Sequence, residues 1–161
     1  MVISSLGWLH TLGSLPAIPL AVYMLVKHGR ITPQSRAGRA YFGFMLLGVL
    51  TVYPIAQQAV SSIVATVTLS VLLLGYGLAQ WSARPGWARY VETTLLSISV
   101  FLLMLPTISE TLRRLPVDDP LAKGLQDPVL LGAQAALFLA LIVGIPFQLR
   151  ALYKRNALPA R

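Results

Sequence analysis

His10 is the residue of this chain whose type and position best suit chemistry. It lies in an apolar stretch near the amino terminus, and an ionisable side chain inside a membrane is costly enough to indicate a function. Its imidazole could bind a b-type haem or another tetrapyrrole, or relay protons. Alternatively, it is a neutral ring hydrogen-bonded to Ser14 or to a carbonyl that Pro16 leaves unpaired. The other histidine, His28, lies about 27 Å further along a helix, so the two cannot share one iron.

Glu110 is expected at the same depth as His10, near the outer end of a predicted helix. The ligand site predicted from this placement consists of His10, Ser14, Tyr53 and Glu110. The alternative is that Glu110 pairs with Arg113 or Arg114, three and four residues further along the same helix. Glu92 lies near the other end of that helix, close to Arg89, and is predicted to be an interface-exposed carboxylate.

Common catalytic patterns are missing from the sequence. It contains no glycine-rich phosphate loop, no His-Glu-x-x-His, no carboxylate cluster and no Gly-x-Ser-x-Gly turn. Since there are no cysteines, disulfides, thiolate metal sites, thiol redox chemistry and c-type haem attachment are excluded. We therefore predict no catalytic residues and no metal site, and the sequence favours a protein that is not an enzyme.

The elements that must position these residues are five apolar stretches, each about as long as a bilayer is thick. Only helices or closed barrels satisfy the backbone in lipid, so the sequence predicts an all-α integral membrane protein with a single domain, residues 1–161. The predicted helices cover residues 6–26, 39–53, 60–80, 91–112 and 128–148. Pro16 and Pro19 predict a kink near residues 12–15. If the short turn at Gln57 and Gln58 does not form, residues 40–80 make one bent or re-entrant span, and the bundle has four spans.

Positive charge alternates between the gaps. Lys and Arg number four in residues 27–39, none between the second and third spans, two in residues 84–89 and four in the tail. The fourth gap has three, opposed by three Asp. The positive-inside rule then predicts an outside amino terminus, cationic cytoplasmic loops and a cytoplasmic carboxyl terminus in a bacterial inner membrane. The net charge of +8 is scattered in short clusters, which favours anionic lipid headgroups over nucleic acid as partner.

Small residues mark the third predicted span as a packing surface, because small side chains let membrane helices approach closely. The predicted partner-packing residues are Ala65, Ser70, Gly75 and Gly77. With little mass outside the membrane, the chain is predicted to be a non-catalytic accessory or scaffold subunit, joined to a membrane-protein partner or to itself. The alternatives are a protein that binds haem, another tetrapyrrole or a lipophilic ligand through His10, and a small-solute or proton-coupled transporter that uses Glu110.

Overall fold

The computed structural model describes residues 5–54, 59–83 and 85–157, and all regular structure in these ranges is helical. The helices are α1 (Ser5–Ser14), α2 (Ala17–His28), α3 (Arg36–Val52), α4 (Ala59–Gln80), α5 (Gly86–Arg114) and α6 (Pro128–Ala157). Four stretches are long and apolar enough to cross a membrane: Leu9–His28, Ala59–Gln80, Gly86–Arg114 and Pro128–Arg155. The prediction of an all-helical, membrane-type bundle is confirmed.

The first span is interrupted where its first proline falls. α1 ends at Ser14 and α2 begins at Ala17, so the break lies next to the residues where a kink was predicted. Pro16 occupies the position before α2 in a helical backbone conformation. Pro19 falls in the first turn of α2, where a missing N–H costs no helical hydrogen bond. One proline therefore breaks the helix and the other is accommodated by the restart.

α3 begins three residues before its predicted start. The Ser35 side chain accepts a hydrogen bond from the Gly38 N–H at 2.9 Å and so caps the first turn. α3 and α4 are two separate helices that pack against each other in antiparallel directions: Gln34, just before α3, bonds the Ala79 carbonyl, and Tyr53, just after it, bonds Thr66. The predicted turn residues Gln57 and Gln58 lie outside the described residues.

The core lies among α2, α3, α4 and α5. Its fully buried side chains include Met24, Tyr41, Leu72 and Leu96. The Tyr41 hydroxyl lies 2.9 Å from the Ser99 hydroxyl of α5, so the polar end of this buried ring is paired across the bundle. The Tyr76 hydroxyl of α4 donates to the Gly38 carbonyl of α3 at 2.6 Å. These two bonds fix α3 against both of its neighbours.

α5 and α6 are longer than predicted. α5 begins at Gly86, five residues before its predicted start, and the Trp87 ring meets the Trp81 ring edge-on at 6.4 Å between their centres. α6 begins at Pro128 as predicted, because the Asp127 carboxylate accepts the Val129 N–H at 2.9 Å. It continues through Pro146 to Ala157, nine residues beyond its predicted end.

The helices place most of the positive charge at one end of the bundle. α2, α4 and α6 finish at this end, and α3 and α5 begin there. We call it the basic end, defined by the described cations Lys27, Arg30, Arg36, Arg39, Arg89, Arg150, Lys154 and Arg155. Glu92 is the one acidic residue described there. The opposite end holds Arg113, Arg114 and Lys123 together with Glu110 and three Asp.

Candidate functional site

His10 is held against α3 by a close helix contact. A Cβ added to Gly48 would lie 2.8 Å from the Ser14 Cβ, and one added to Gly13 would lie 2.6 Å from a Leu47 methyl carbon. Because both positions are glycine, α1 approaches α3 closely. The partly buried imidazole thereby reaches α3 near its carboxyl end, away from the basic end.

The hydrogen bonds of His10 determine its tautomer. Its Nδ1 lies 3.0 Å from the Gly48 carbonyl oxygen and 3.0 Å from the Thr51 hydroxyl oxygen. The Thr51 hydroxyl donates its single proton to backbone carbonyls of its own helix, at 2.7 Å for Leu47. Two acceptors therefore face Nδ1, so we assign the proton to Nδ1. The lone pair of Nε2 then remains for a ligand. Metal-binding histidines commonly have this arrangement, in which the other ring nitrogen donates its proton to a backbone carbonyl.

Ser14, Tyr53 and Glu110 make contacts of their own. The Ser14 hydroxyl donates to the His10 backbone carbonyl at 2.7 Å, not to the ring as the alternative interpretation expected. The Tyr53 hydroxyl lies 3.0 Å from that of Thr66. Glu110 is paired on α5, at 2.7 Å with Arg113 and 2.6 Å with Arg114, as the simpler interpretation predicted. A ligand site uniting His10 with these three residues stays a prediction.

The sequence did not predict an ion pair at the basic end between buried Glu92 and partly exposed Arg30. Glu92 is 1% exposed, and its carboxylate lies 3.1 Å from an Arg30 guanidinium nitrogen. The prediction that the Glu92 carboxylate is exposed at the interface is therefore wrong, because the side chain is buried. Its neighbours in α5 signalled burial, because Ala88, Leu96 and Ser99 recur on the same helical face. A cavity of about 230 Å³ lies beside the pair, lined also by Gln34 and Ala79.

The small residues of α4 divide into two groups. Ala65 and Gly75 are buried within the chain, and a Cβ added to Gly75 would lie 2.7 Å from a Leu96 methyl carbon of α5. Ser70 and Gly77 are exposed, and a Cβ added to Gly77 would have no neighbour within 4 Å. Packing within the chain thus uses Ala65 and Gly75, while contact between any of the four and another protein stays a prediction.

A second, more open set of small residues lies on α6. Only 6% of the membrane-length stretch of α6 is buried, against 28% for α4 and for α5. Its side facing α5 is defined by Gln134, which donates to Ser109 at 3.1 Å, and by Gln148, which accepts from Ser97 at 2.5 Å. We define the small-residue stripe of α6 as Gly132, Ala136 and Ala140. A Cβ at Gly132 would have no neighbour within 4 Å, and Gly132 and both alanines are exposed.

The described residues contain no group of three or more His, Cys, Asp or Glu that could hold a metal ion. Comparison with protein-family models, with curated proteins and with solved structures finds no match for this chain. The fold by itself defines the class of protein, a helical bundle of the membrane-spanning type.

Proposed function

We propose that the chain crosses a bacterial inner membrane five times, with α3 as the second span, the amino terminus outside and the carboxyl terminus in the cytoplasm. α3 has 17 residues, about 25 Å of helix, which is at the short end of what a bilayer requires. The separation of charge between the basic end and the opposite end supports this orientation, because cytoplasmic segments carry an excess of Lys and Arg.

Single cysteines test this topology without background, since the chain has no cysteine of its own. Asp119→Cys, at a side chain 85% exposed, is expected to react with an impermeant thiol reagent in intact cells. Gln34→Cys, at the basic end, is expected to react only after the cells are permeabilised. Labelling of Gln34→Cys in intact cells would reverse the orientation.

We further propose that the protein is a non-catalytic accessory subunit that binds a membrane partner through α6. The observation that carries this proposal is the small-residue stripe. Successive residues of a helix turn by about 100°, so positions two residues from Gln134, namely Gly132 and Ala136, point away from α5. Because lipid tails are as apolar as leucine, membrane helices associate by close packing and not by the burial of apolar side chains. Small residues permit this close packing, so an exposed row of them is typical of a helix-packing surface.

The charges at the end of α6 indicate what kind of partner fits. Arg150 and Lys154 each lie two residues from a residue on the inward side, Gln148 and the buried Leu152, so they continue the outward face at the basic end. A second copy docked side by side would place these cations opposite themselves. These charges therefore favour a partner other than a second copy of this chain. The partner should have small residues along a transmembrane helix and Asp or Glu at the cytoplasmic end of that helix.

Photocrosslinking in membranes tests this interface. A crosslinking amino acid at Ala136 or Ala140 is expected to give one discrete adduct, and the same group at Ala135, 100° round the helix, is expected to give none. Charge reversal by Arg150→Glu with Lys154→Glu should abolish the adduct. Mass spectrometry of the adduct should find a transmembrane helix with acidic residues at its cytoplasmic end.

Two results would contradict the proposal. An adduct at twice the 17.5 kDa mass of the chain would make the protein a homodimer. Equal crosslinking from Ala135 and Ala136, or none from either, would remove the accessory-subunit interpretation and favour the ligand-binding alternative.

The ligand-binding alternative rests on His10, whose Nδ1 hydrogen bonds leave Nε2 available for a tetrapyrrole metal or a lipophilic ligand. A haem-binding chain purified in mild detergent would show a Soret band, which His10→Ala would abolish. His28→Ala, which changes the second histidine, should leave the band intact. A Soret band that survives His10→Ala, or no band in protein expressed with excess haem, would contradict this alternative for haem.

A further inference from the structure

A groove opens between α2 and α3 at the basic end. Its volume is about 590 Å³, within the range of small-molecule sites. Its lining consists of Leu20, Tyr23, Lys27, His28, Ser35, Arg36, Ala37 and Ala40. None of these described lining residues is acidic, so the groove is positively charged at its mouth.

The mouth of the groove is organised around Tyr23. The Lys27 ammonium donates to the Tyr23 hydroxyl at 2.8 Å and lies 5.1 Å from the centre of its ring. The His28 ring meets the same ring edge-on at 6.4 Å. Arg36, at the start of α3, borders the groove from the other helix. Ammonium, guanidinium and imidazole donors therefore surround one opening, a combination that suits a phosphate group.

The interior of the groove is apolar. Leu20 lies seven residues before Lys27, about 10 Å deeper along α2, and Ala40 lies one turn deeper than Arg36 along α3. The alanines at positions 37 and 40 leave room between the helices because their side chains are short. The groove is thus cationic at the depth of the headgroups and apolar at the depth of the acyl chains.

We propose that this groove binds one anionic phospholipid, with its headgroup phosphate between Lys27, His28 and Arg36 and an acyl chain along Leu20 and Ala40. Charge complementarity favours the phosphate, and the apolar interior favours a lipid over a free anion. Arg30 is not part of this site, because it is paired with Glu92 on the α5 side. The proposal is independent of partner binding through α6.

Native mass spectrometry of the delipidated full chain, titrated with phosphatidylglycerol or with phosphatidylcholine of the same acyl length, tests the site. We expect the first phosphatidylglycerol to bind at least tenfold more tightly than phosphatidylcholine. Each cation near a lipid surface contributes about fivefold in affinity, so Lys27→Gln with Arg36→Gln should weaken phosphatidylglycerol binding about 25-fold.

The matched control is Arg39→Gln with Arg155→Gln, which removes the same charge from the basic end outside the groove. It should change phosphatidylglycerol binding by less than twofold. An equal loss in both double variants would mean that bulk charge attracts the lipid, and no loss in either would place the preference elsewhere. Both results would overturn the proposal.

Two further measurements separate a lipid from a soluble phosphate. Ala40→Phe fills the apolar part of the groove without changing the charge, and it should lower phosphatidylglycerol binding while the chain keeps its helical circular dichroism. Inorganic phosphate and glycerol phosphate at millimolar concentration should not displace the lipid. Displacement by either, or unchanged lipid binding in Ala40→Phe, would overturn the proposal of a lipid.

Discussion

Arg30 and Glu92 join the end of α2 to the start of α5, although 62 residues separate them in the chain. Because Glu92 is 1% exposed, this contact is less screened by solvent than a surface pair. In a double-mutant cycle with Arg30→Met and Glu92→Leu, we expect a coupling of about 1–3 kcal/mol in the free energy of unfolding. Reversible unfolding in mixed micelles measures it.

The control for this prediction is the exposed pair of Glu110 with Arg114, whose side chains are 46% and 66% exposed. Solvent screens such a pair, so its coupling should be below about 1 kcal/mol. If the two cycles gave the same coupling, burial of Glu92 would not strengthen its contact with Arg30.

Gly38 and Gly43 lie in the same helix and differ in the space beside them. A Cβ at Gly38 would lie 2.0 Å from the Thr32 carbonyl oxygen, a backbone atom, whereas one at Gly43 would have no neighbour within 4 Å. Gly38→Ala should therefore destabilise the chain by about 1–3 kcal/mol or more, because the backbone must move. Gly43→Ala should be neutral or stabilising by up to about 1 kcal/mol. Equal effects in thermal unfolding would mean that α3 does not approach residues 32–33 this closely.

At the scale of elements, the start of α6 depends on Asp127. Its carboxylate accepts the backbone N–H groups of Lys123 and Val129, and these hydrogen bonds lower the pKa of Asp127 below its usual value. A carboxyl whose pKa is lowered by folding stabilises the chain fully above the ordinary aspartate pKa of about 4, and this stabilisation is lost as the pH falls through the lower, folded value.

Asp127→Ala should therefore lower stability near neutral pH and have a diminishing effect below about pH 4. Hydrogen exchange of the first amides of α6, at pH 7 and after acidification, measures this. Asp118→Ala changes an exposed aspartate of the same loop and should leave those amides unchanged. Protection that is equal in Asp127→Ala and the unchanged chain at pH 7 would contradict the assigned cap.

The sequence predicts the presence of the helices better than it predicts their first and last residues. Apolar length predicts each membrane-type helix because lipid leaves the backbone no other partners. The observed boundaries differ from the predicted ones at two helices. α3 starts early because Ser35 caps it, and α6 continues past Pro146, which lies within the helix instead of near its end. Pro16 shows that a proline can also break a span completely.

At the scale of the whole molecule, the contacts of candidate residues depend on how helices face one another, which the order of residues does not give. The pairing of Glu110 with Arg113 and Arg114 was predictable, because it lies within one helix. The contact of His10 with Gly48 and Thr51 was not, since it joins α1 to α3 across about 40 residues. The burial of Glu92 beside Arg30 likewise requires α2 and α5 to be neighbours.

The bundle divides into a core of α2 to α5 and a peripheral α6. The buried core cluster, from Ala17 to Leu96, contains no residue of α6 among those described, and α6 packs mainly on α5. A chain ending at residue 127 loses the burial of Leu130 and Leu152 but keeps every residue of that cluster. It should therefore still unfold cooperatively in detergent, as measured by near-ultraviolet circular dichroism of its aromatic residues.

Gly75→Leu in the full chain is the contrasting variant, because its side chain would collide with Leu96 in the contact between α4 and α5. Overpacking there should cost about 1–3 kcal/mol or more and broaden the transition, although α6 is present. If removing α6 abolished the cooperative transition while Gly75→Leu preserved it, α6 would be part of the folding core. If instead the chain without α6 keeps its cooperative transition, the core does not depend on α6. That helix can then exchange its lipid neighbours for a partner helix.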